Sequence, residues 1–460
     1  MNTSAVFRRP LSGSLLAIVR RSRNKAVSGS SHGSARPHVN RALGLSIVDG
    51  VLFALMVGAS ESYFGACAVA LGHTDAALAM LATLPLVAGA LAQAFTGPLV
   101  LFLGSRKRVV VAGALTQALS HLGLIATAWS GSPAFGPLLA LVVVYFISGM
   151  MIAPAWGAWM GGLTENVDRQ RYFAVRSGCV SAAMVVAFLW AGYHLRDAAL
   201  THHLSETYAM LFSIGLIARL GSVSALLAQK DPCPPTRDSL KRVLARTRAA
   251  VRGDGFKLAF GLGVLVLGAQ ISIPFYAPYM LKTLSLDYGQ FARMVALQLV
   301  ARALIFPFAH RLAARFGLQR MLVCAIGMIG LVAWIWGATN WMPALWLAQF
   351  LSGIAWACYE FASFQLLLHS AKPSYRVEFL AVAASLGGIM QLTGAVIGSW
   401  LLTQVGLSYR GVFLVSAFAR CLPLFLFMPL LYEKPTLYDK KDTADLARTP
   451  SLAPVAPMRE

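Results

Sequence analysis

Two acidic side chains stand inside long apolar stretches of the chain. Glu61 follows VLFALMVGAS, and Glu360 lies in WACYEFASF. If these stretches cross a membrane, inserting each ionisable group costs about 2.5–3.5 kcal/mol, so its presence needs a reason. A carboxyl group in a partly desolvated cavity can bind and release a proton as its surroundings change. The alternative for each acid is a structural pair with a neighbouring helix.

Three further ionisable residues lie in apolar stretches and complete this set of candidates. Arg302 is the natural partner of Glu360, because the helices expected for them run in the same direction and both residues fall in the same half of the membrane. Asp49 is either a gate residue or an interfacial one. His121 either titrates near neutral pH or packs as a hydrogen-bonded side chain.

The composition places these residues in a membrane protein. Over 460 residues the chain is 57% hydrophobic and only 12% charged, whereas soluble domains carry about 25% charged residues. The formal charge of +21 is spread in short clusters between apolar stretches. A nucleic-acid-binding module would gather its cations on one surface, so the pattern instead favours loops that face an anionic leaflet.

Twelve stretches of the chain are long and apolar enough to cross a bilayer, which takes about 20 residues as a helix. The first six are 44–71, 75–102, 109–129, 136–162, 172–194 and 207–229. The second six are 257–281, 288–309, 321–339, 342–368, 378–405 and 411–431. The sequence therefore predicts an all-α integral membrane protein with twelve transmembrane helices.

The predicted helices form two halves around a basic segment. We expect a basic N-terminal tail at 1–43, six helices in 44–229, a cytoplasmic linker at 230–256, six helices in 257–432 and a disordered C-terminal tail at 433–460. The linker sequence predicts an amphipathic basic helix at the membrane surface. For the Arg- and Ser-rich N-terminus, a transit peptide and a start codon placed too early are the alternatives to a tail.

Lysine and arginine concentrate on one side of the predicted membrane. That side receives the basic linker and the cations at 106–108 and 311–320, and the other side keeps little beyond Arg196, Lys282 and Arg410. This asymmetry predicts that both termini are cytoplasmic, with the chain in the cell (inner) membrane. Arg219 and Arg420 lie toward inner helix ends, where we expect them to act as anchors.

The basic turn after the second predicted helix resembles a known signature. Within GPLVLFLGSRKRVVVAG, four residues match Gly-x3-Asp-x2-Gly-x-Arg-Lys/Arg, the signature of the major facilitator superfamily: Gly97, Gly104, Arg106 and Lys107. Leu101 replaces the acid, which in that family caps a helix end and pairs with a cation across the two halves. A basic membrane loop with incidental glycines is the alternative.

An internal repeat extends the resemblance over residues 44–432. In HRLAARFGLQRMLV, Gly317 matches Gly104 and Arg320 matches Lys107, while Ala314 stands at the acidic position. ISGMMIAPAWGAW in the fourth helix also matches LSGIAWACYEFASF in the tenth. More narrowly, PAWGAWMGGLTENVDRQRYFAVRS and PFYAPYML resemble a bacterial branch of the superfamily.

The resemblance implies that the first, fourth, seventh and tenth helices line a central cavity, which places both acids beside it. Aromatic and amide residues on these helices suit an amphipathic organic solute, although interfacial belts and helix contacts use the same residue types. The cavity-lining candidates are Tyr63, Trp156, Trp159, Gln270, Tyr276, Tyr279 and Tyr359.

The resemblance further implies a secondary active transporter, a symporter or an antiporter, that moves a small organic solute by alternating access. Protons would drive it through the two intramembrane acids. A proton-independent facilitator or exporter is one alternative. A non-transporting membrane scaffold or sensor of the same fold is another, and the missing acids at Leu101 and Ala314 favour it.

Other classes of function find no support in the sequence. No nucleotide-binding loop and no catalytic constellation is present, and the six scattered cysteines indicate neither a zinc site nor a disulfide framework. We therefore expect no enzymatic activity, no cofactor, no metal and no nucleic-acid partner. The expected partners are the solute and the lipid bilayer with its anionic cytoplasmic leaflet, and we expect a monomer.

Overall fold

The computed structural model describes residues 36–131, 134–165, 167–201, 203–230, 239–253, 255–286 and 288–432. In these ranges the regular structure is entirely helical, which confirms the predicted all-α fold. Most of the N-terminal tail at 1–43, residues 231–238 of the linker and the C-terminal tail at 433–460 lie outside the described residues.

The N-terminal half contains six helices close to the predicted ones. The first, α1, runs over Arg36–Ala59 and continues after a break through Glu61–Tyr63 and Phe64–Ala70; α2 runs over Asp75–Ala92, Gln93–Phe95 and Thr96–Leu103. The others are α3 (Arg106–Ser130), α4 (Phe135–Leu163), α5 (Arg169–Thr201) and α6 (Leu204–Ala228).

The linker helix (Leu240–Arg252) precedes six more helices in the C-terminal half. Of these, α7 runs over Gly255–Gln270 and continues after a break through Ile273–Phe275, Tyr276–Pro278 and Tyr279–Thr283. The others are α8 (Tyr288–Phe316), α9 (Leu318–Ala338), α10 (Met342–Ser370), α11 (Arg376–Thr403) and α12 (Tyr409–Tyr432). Within the described chain, eleven helices are long and apolar enough to cross a membrane, and α12 stands where the twelfth is predicted.

The two halves repeat one packing pattern. In the first half, α1 packs on α5 and α6, α3 packs on α4 and α6, and α2 packs on α4. In the second half the same pairs recur six helices later, with α7 on α11 and α12, α9 on α10 and α12, and α8 on α10. The internal repeat found in the sequence is therefore a repeat of tertiary structure.

The glycines of the repeated turn have a conformational role. Gly104 ends α2 at φ 69° and Gly317 precedes α9 at φ 85°. Backbone with positive φ strongly favours glycine because any other side chain clashes there. Both turns thus favour glycine at the matched position.

The three cations at 106–108 lie in the first turn of α3, three residues before the predicted start of that helix. Lys107 Nζ donates two hydrogen bonds of 2.6 Å, to the carbonyl oxygens of Leu227 and Gln229 at the end of α6. A helix leaves its last carbonyl groups without intrahelical partners, and a cation stabilises that end. Lys107 therefore ties the start of α3 to the end of α6.

Both α1 and α7 are broken, where the sequence predicted continuous spans at 44–71 and 257–281. The breaks fall at Ser60 and Ser272, each followed by a 3₁₀ turn. Both serines are fully buried. Their hydroxyl groups contact polar side chains of neighbouring helices, Ser60 meeting His121 and Ser272 meeting Arg420. A 3₁₀ stretch inside a helix marks a local change of direction, often at a functional position.

The halves are packed tightly at one end of the molecule, which we call the linker side. It comprises the linker helix and the connections α2–α3, α4–α5, α8–α9 and α10–α11. There, Arg376 at the start of α11 lies 3.1 Å from Glu165 at the end of α4. A Cβ atom at Gly161 would lie 2.8 Å from Leu368 Cδ1, so glycine allows α4 and α10 to approach closely.

Candidate functional site

Arg302 and Glu360 form an ion pair between α8 and α10. Arg302 Nη2 donates to Glu360 Oε2 at 2.5 Å, and the two side chains remain 30% and 35% exposed. The structure thus brings together the pair expected from the sequence. The charges balance each other, and the protein does not fully enclose either side chain.

Glu61 lies at the break in α1, and its carboxylate contacts α4. Tyr145 donates its phenolic proton to Glu61 Oε2 at 2.5 Å. Measured from the ends of their helices on the linker side, Glu61 lies roughly 37 Å from Arg36 at the start of α1, whereas Glu360 lies roughly 15 Å from Ser370 at the end of α10. The two acids therefore occupy different depths and do not form one two-carboxylate site.

Asp49, expected to be either a gate residue or an interfacial one, is buried within the N-terminal half in this state. Its side chain is 7% exposed and lies 3.7 Å from Arg176 Nη2. Ser222 donates to its other oxygen at 2.6 Å. These contacts join α1, α5 and α6 inside the N-terminal half, so Asp49 holds helices together in this state.

His121 is also fully buried. Its Nδ1 lies 2.8 Å from the carbonyl oxygen of Gln117, and its Nε2 lies 3.1 Å from Ser60 Oγ. With both ring nitrogens occupied by protein partners, the structure favours the packing interpretation over a titrating site open to solvent.

Arg219 and Arg420 are not anchors at helix ends, because both are buried within their halves. Arg219 donates to Ser222 Oγ at 2.9 Å and to the side-chain oxygen of Gln117. Arg420 Nη2 donates to Ser272 Oγ at 2.7 Å, at the break in α7. The matched spacings Tyr208-x3-Phe212-x6-Arg219 and Tyr409-x3-Phe413-x6-Arg420 were the sequence signal for this shared role.

The seven cavity-lining candidates divide into two groups. Tyr63, Trp159, Tyr279 and Tyr359 are buried in helix packing, so in this structure they line no open space, contrary to the expectation. Trp159 and Tyr279 are completely enclosed, and the Tyr279 hydroxyl donates to Asn340 at 2.7 Å. Trp156, Gln270 and Tyr276 are half-buried and remain candidates.

An aromatic layer joins the two halves between Glu360 and the linker side. It is formed by Trp156, Phe173 and Phe364. The rings of Phe173 and Phe364 meet at 4.9 Å, and those of Trp156 and Phe364 at 6.4 Å. The guanidinium of Arg176 lies 4.2 Å from the centre of the Trp156 ring, a cation–π distance. Phe364 lies one helical turn from Glu360, so the layer separates the ion pair from the linker side.

Residues 258–458 match the family model described as Major Facilitator Superfamily. The match covers the C-terminal half of the chain, and the chain is similar to that superfamily there. No curated protein sequence matches this chain.

Solved structures of membrane transporters share its fold. The human organic anion transporter MFSD10 (TETRAN) is 16% identical, with 86% of this chain and 100% of that chain covered and a TM-score of 0.63. An outward-facing bacterial homologue of the iron transporter ferroportin is 14% identical, with 84% and 98% covered and a TM-score of 0.67. The E. coli fucose:proton symporter FucP is 11% identical, with 85% and 99% covered and a TM-score of 0.64.

The family match in the C-terminal half and the eleven long apolar helices of the described chain indicate a multi-pass membrane protein with the fold of these transporters. Within the described ranges, no group of three or more His, Cys, Asp and Glu side chains could hold a metal ion. Two separate candidate positions remain: the Arg302–Glu360 ion pair and the Glu61–Tyr145 hydrogen bond.

Gly97, one of the four residues that match the superfamily signature, lies at the seam, the line along which the two halves meet. A Cβ atom there would lie 3.2 Å from Val243 Cγ1 of the linker helix and 3.5 Å from Glu378 Cγ of α11. Gly97 therefore leaves room for α2, α11 and the linker helix to meet. Arg106 lines the same junction.

Proposed function

We propose that the chain is a secondary active transporter that moves a small organic solute by alternating access, driven by protons. Glu360 is the principal proton-binding group and Arg302 is its partner. When the acid binds a proton, the ion pair opens and Arg302 becomes available to the solute. Glu61, with Tyr145, is a second protonatable group, farther from the linker side.

The exposure of the Arg302–Glu360 pair is the observation that carries this proposal. An acid and a base in the middle of two spanning helices are costly unless paired, and a purely structural pair gains most when fully enclosed with further hydrogen bonds. Here each side chain is about a third exposed, at 30% and 35%. A pair that the protein does not fully enclose suits exchange of partners better than it suits stability.

The packing of the halves supports alternating access. The linker side is closed by the aromatic layer and by the Arg376–Glu165 pair, while the acids lie beyond that closure. We propose that the linker side is cytoplasmic, in the inner membrane beside an anionic leaflet, with both termini inside, because its connections hold most of the cations. The state described is then outward-facing.

The similar structures support the solute class. Among them are a fucose:proton symporter and an organic anion transporter, which move small polar organic molecules. Because one chain supplies both halves, we propose that the monomer is the working unit.

Uptake into proteoliposomes tests the proposal. Purified protein is reconstituted with an imposed pH gradient, with a collapsed gradient or with no gradient, and a panel of monosaccharides and organic anions is offered. We expect at least one solute to accumulate above equilibrium only with the gradient. Equilibration that ignores the gradient would indicate a facilitator, and no flux of any solute would favour the non-transporting alternative.

A further inference from the structure

The linker helix spans the seam between the two halves with one of its faces. Val243 and Ala250 on that face are buried, and Val243 packs against the Gly97 position of α2. One turn along the same face, Arg246 Nη1 lies 3.8 Å from Glu378 Oε1 of α11. The helix therefore contacts the N-terminal half through α2 and the C-terminal half through α11.

Glu378 stands close to the place where the signature acid is missing. Its side chain is 7% exposed. Its Cγ would lie 3.5 Å from a Cβ atom at Gly97, and Gly97 is four residues before Leu101, the residue at the acidic position. The acid at this junction thus belongs to α11 instead of α2, and one of its cationic partners, Arg246, comes from the linker helix. The charged contact at this junction joins the linker helix to the C-terminal half.

The opposite face of the linker helix has the pattern of a membrane-surface helix. Leu240, Leu244 and Val251 form an apolar stripe and are 53%, 58% and 43% exposed. A row of exposed cations lies beside this stripe on the helix surface: Lys241, Arg248 and Arg252. An exposed apolar stripe beside a row of cations is complementary to the acyl boundary and anionic headgroups of a leaflet.

We propose that the linker helix is a lipid-dependent strap: its outer face binds acidic phospholipid headgroups, and its inner face, through Val243 and Arg246, then holds the linker side closed. Acidic lipid thereby favours the state in which the halves meet at the linker side. The inference rests on the proposed orientation of the transporter and is independent of proton coupling.

Hydrogen–deuterium exchange on the full chain tests the strap without any transport measurement. The protein is placed in nanodiscs of phosphatidylcholine alone or of an equal mixture with phosphatidylglycerol. We expect backbone amides of 240–252 to exchange at least about tenfold more slowly in the acidic mixture, with slower exchange at 371–378 in the seam. Identical exchange of 240–252 in the two lipids would overturn the proposal.

Three variants make the test specific. K241Q/R248Q/R252Q should lose the lipid effect, whereas the matched variant R311Q/R315Q/R320Q, which removes three exposed cations from the α8–α9 region of the same side, should keep it. R246Q should speed exchange at 371–378 in both lipids. A lipid effect that survives the first variant, or that the second abolishes, contradicts the assignment.

A thermal unfolding curve in detergent that matches the wild type shows that each variant folds. Protection of 240–252 in phosphatidylcholine alone that grows with protein concentration would mean that a second copy covers this face, and the lipid assignment would then be wrong.

Discussion

Arg302 donates a 2.5 Å hydrogen bond to Glu360 across the contact between α8 and α10, although both side chains remain about a third exposed, at 30% and 35%. A pair in this position has two consequences that can be separated. Its charges stabilise each other in the folded protein, and we propose that the carboxylate, which the protein does not fully enclose, binds protons. Stability measurements address the first consequence and transport measurements the second.

Replacing one member of this pair should destabilise the protein, and replacing both should restore much of the loss. Breaking a buried pair costs about 3–5 kcal/mol, and partial exposure reduces this to about 1–3 kcal/mol. We expect Glu360→Gln to lower the unfolding temperature and the double variant Arg302→Met/Glu360→Gln to recover most of that loss. Arg311→Gln, which changes an exposed residue of α8, should leave the unfolding temperature unchanged. No recovery in the double variant would mean that the two charges are not coupled.

The hydroxyl of Tyr145 should matter for transport through Glu61. Tyr145→Phe removes the 2.5 Å hydrogen bond to that carboxylate and keeps the ring, so we expect gradient-driven uptake to slow by roughly tenfold or more. Tyr208→Phe is the matched control, because Tyr208 is also buried but lies away from either acid's hydrogen bonds. The initial uptake rate measures the effect, and equal rates in the two variants would remove Glu61 from the mechanism.

The cations that begin α3 should differ in their contribution to stability. Lys107 makes two hydrogen bonds of 2.6 Å to the end of α6, whereas Arg108 makes one of 3.1 Å to the nearby Leu103 carbonyl. Hydrogen bonds to charged groups contribute about 1.5–3 kcal/mol each. The unfolding temperature should therefore fall clearly for Lys107→Met and only slightly for Arg108→Met. The reverse order would contradict the tie between α3 and α6.

Adjacent glycines in α11 offer a test of how closely the halves approach. A Cβ atom at Gly388 would lie 2.1 Å from Ala90 Cβ of α2, while one at Gly387 would meet nothing within 4 Å. We expect Gly388→Ala to cost about 1–3 kcal/mol through overpacking. Gly387→Ala should be neutral or slightly stabilising, because alanine favours a helix. Similar unfolding temperatures for the two variants would mean that α2 and α11 are not packed as described.

The spanning helices could be predicted because length and apolarity suffice to define them. The pairing of Arg302 with Glu360 could also be anticipated, since two parallel helices at matched depth place both residues at one level. The break at Ser60 was missed because the apolar stretch resumes after the short polar run of Ser60, Glu61 and Ser62 and no proline marks it. Pro274 was a usable signal for the corresponding break in α7.

The environments of the other candidates depend on how each helix is rotated against its neighbours. Position along a helix suggested that Arg219 lay at an inner end, but its rotation directs it toward Ser222 and Gln117 in the interior. The same reason explains why Trp159 is enclosed while Trp156, three residues earlier, is half-buried. The role of Glu378 required knowing where the linker helix docks, which no local pattern specifies.

The role of Glu360 in proton coupling is tested most directly with the Glu360→Gln variant in proteoliposomes. Two quantities are measured: accumulation of solute against its gradient and exchange of solute across the membrane. A neutral amide imitates the protonated acid, so the variant should lose accumulation against a concentration gradient while it still exchanges labelled for unlabelled solute across the membrane. Glu360→Asp, which keeps an acid at this position, should retain gradient-driven accumulation. If Glu360→Gln accumulates solute as the wild type does under the same pH gradient, Glu360 does not couple protons to transport and the central claim is wrong.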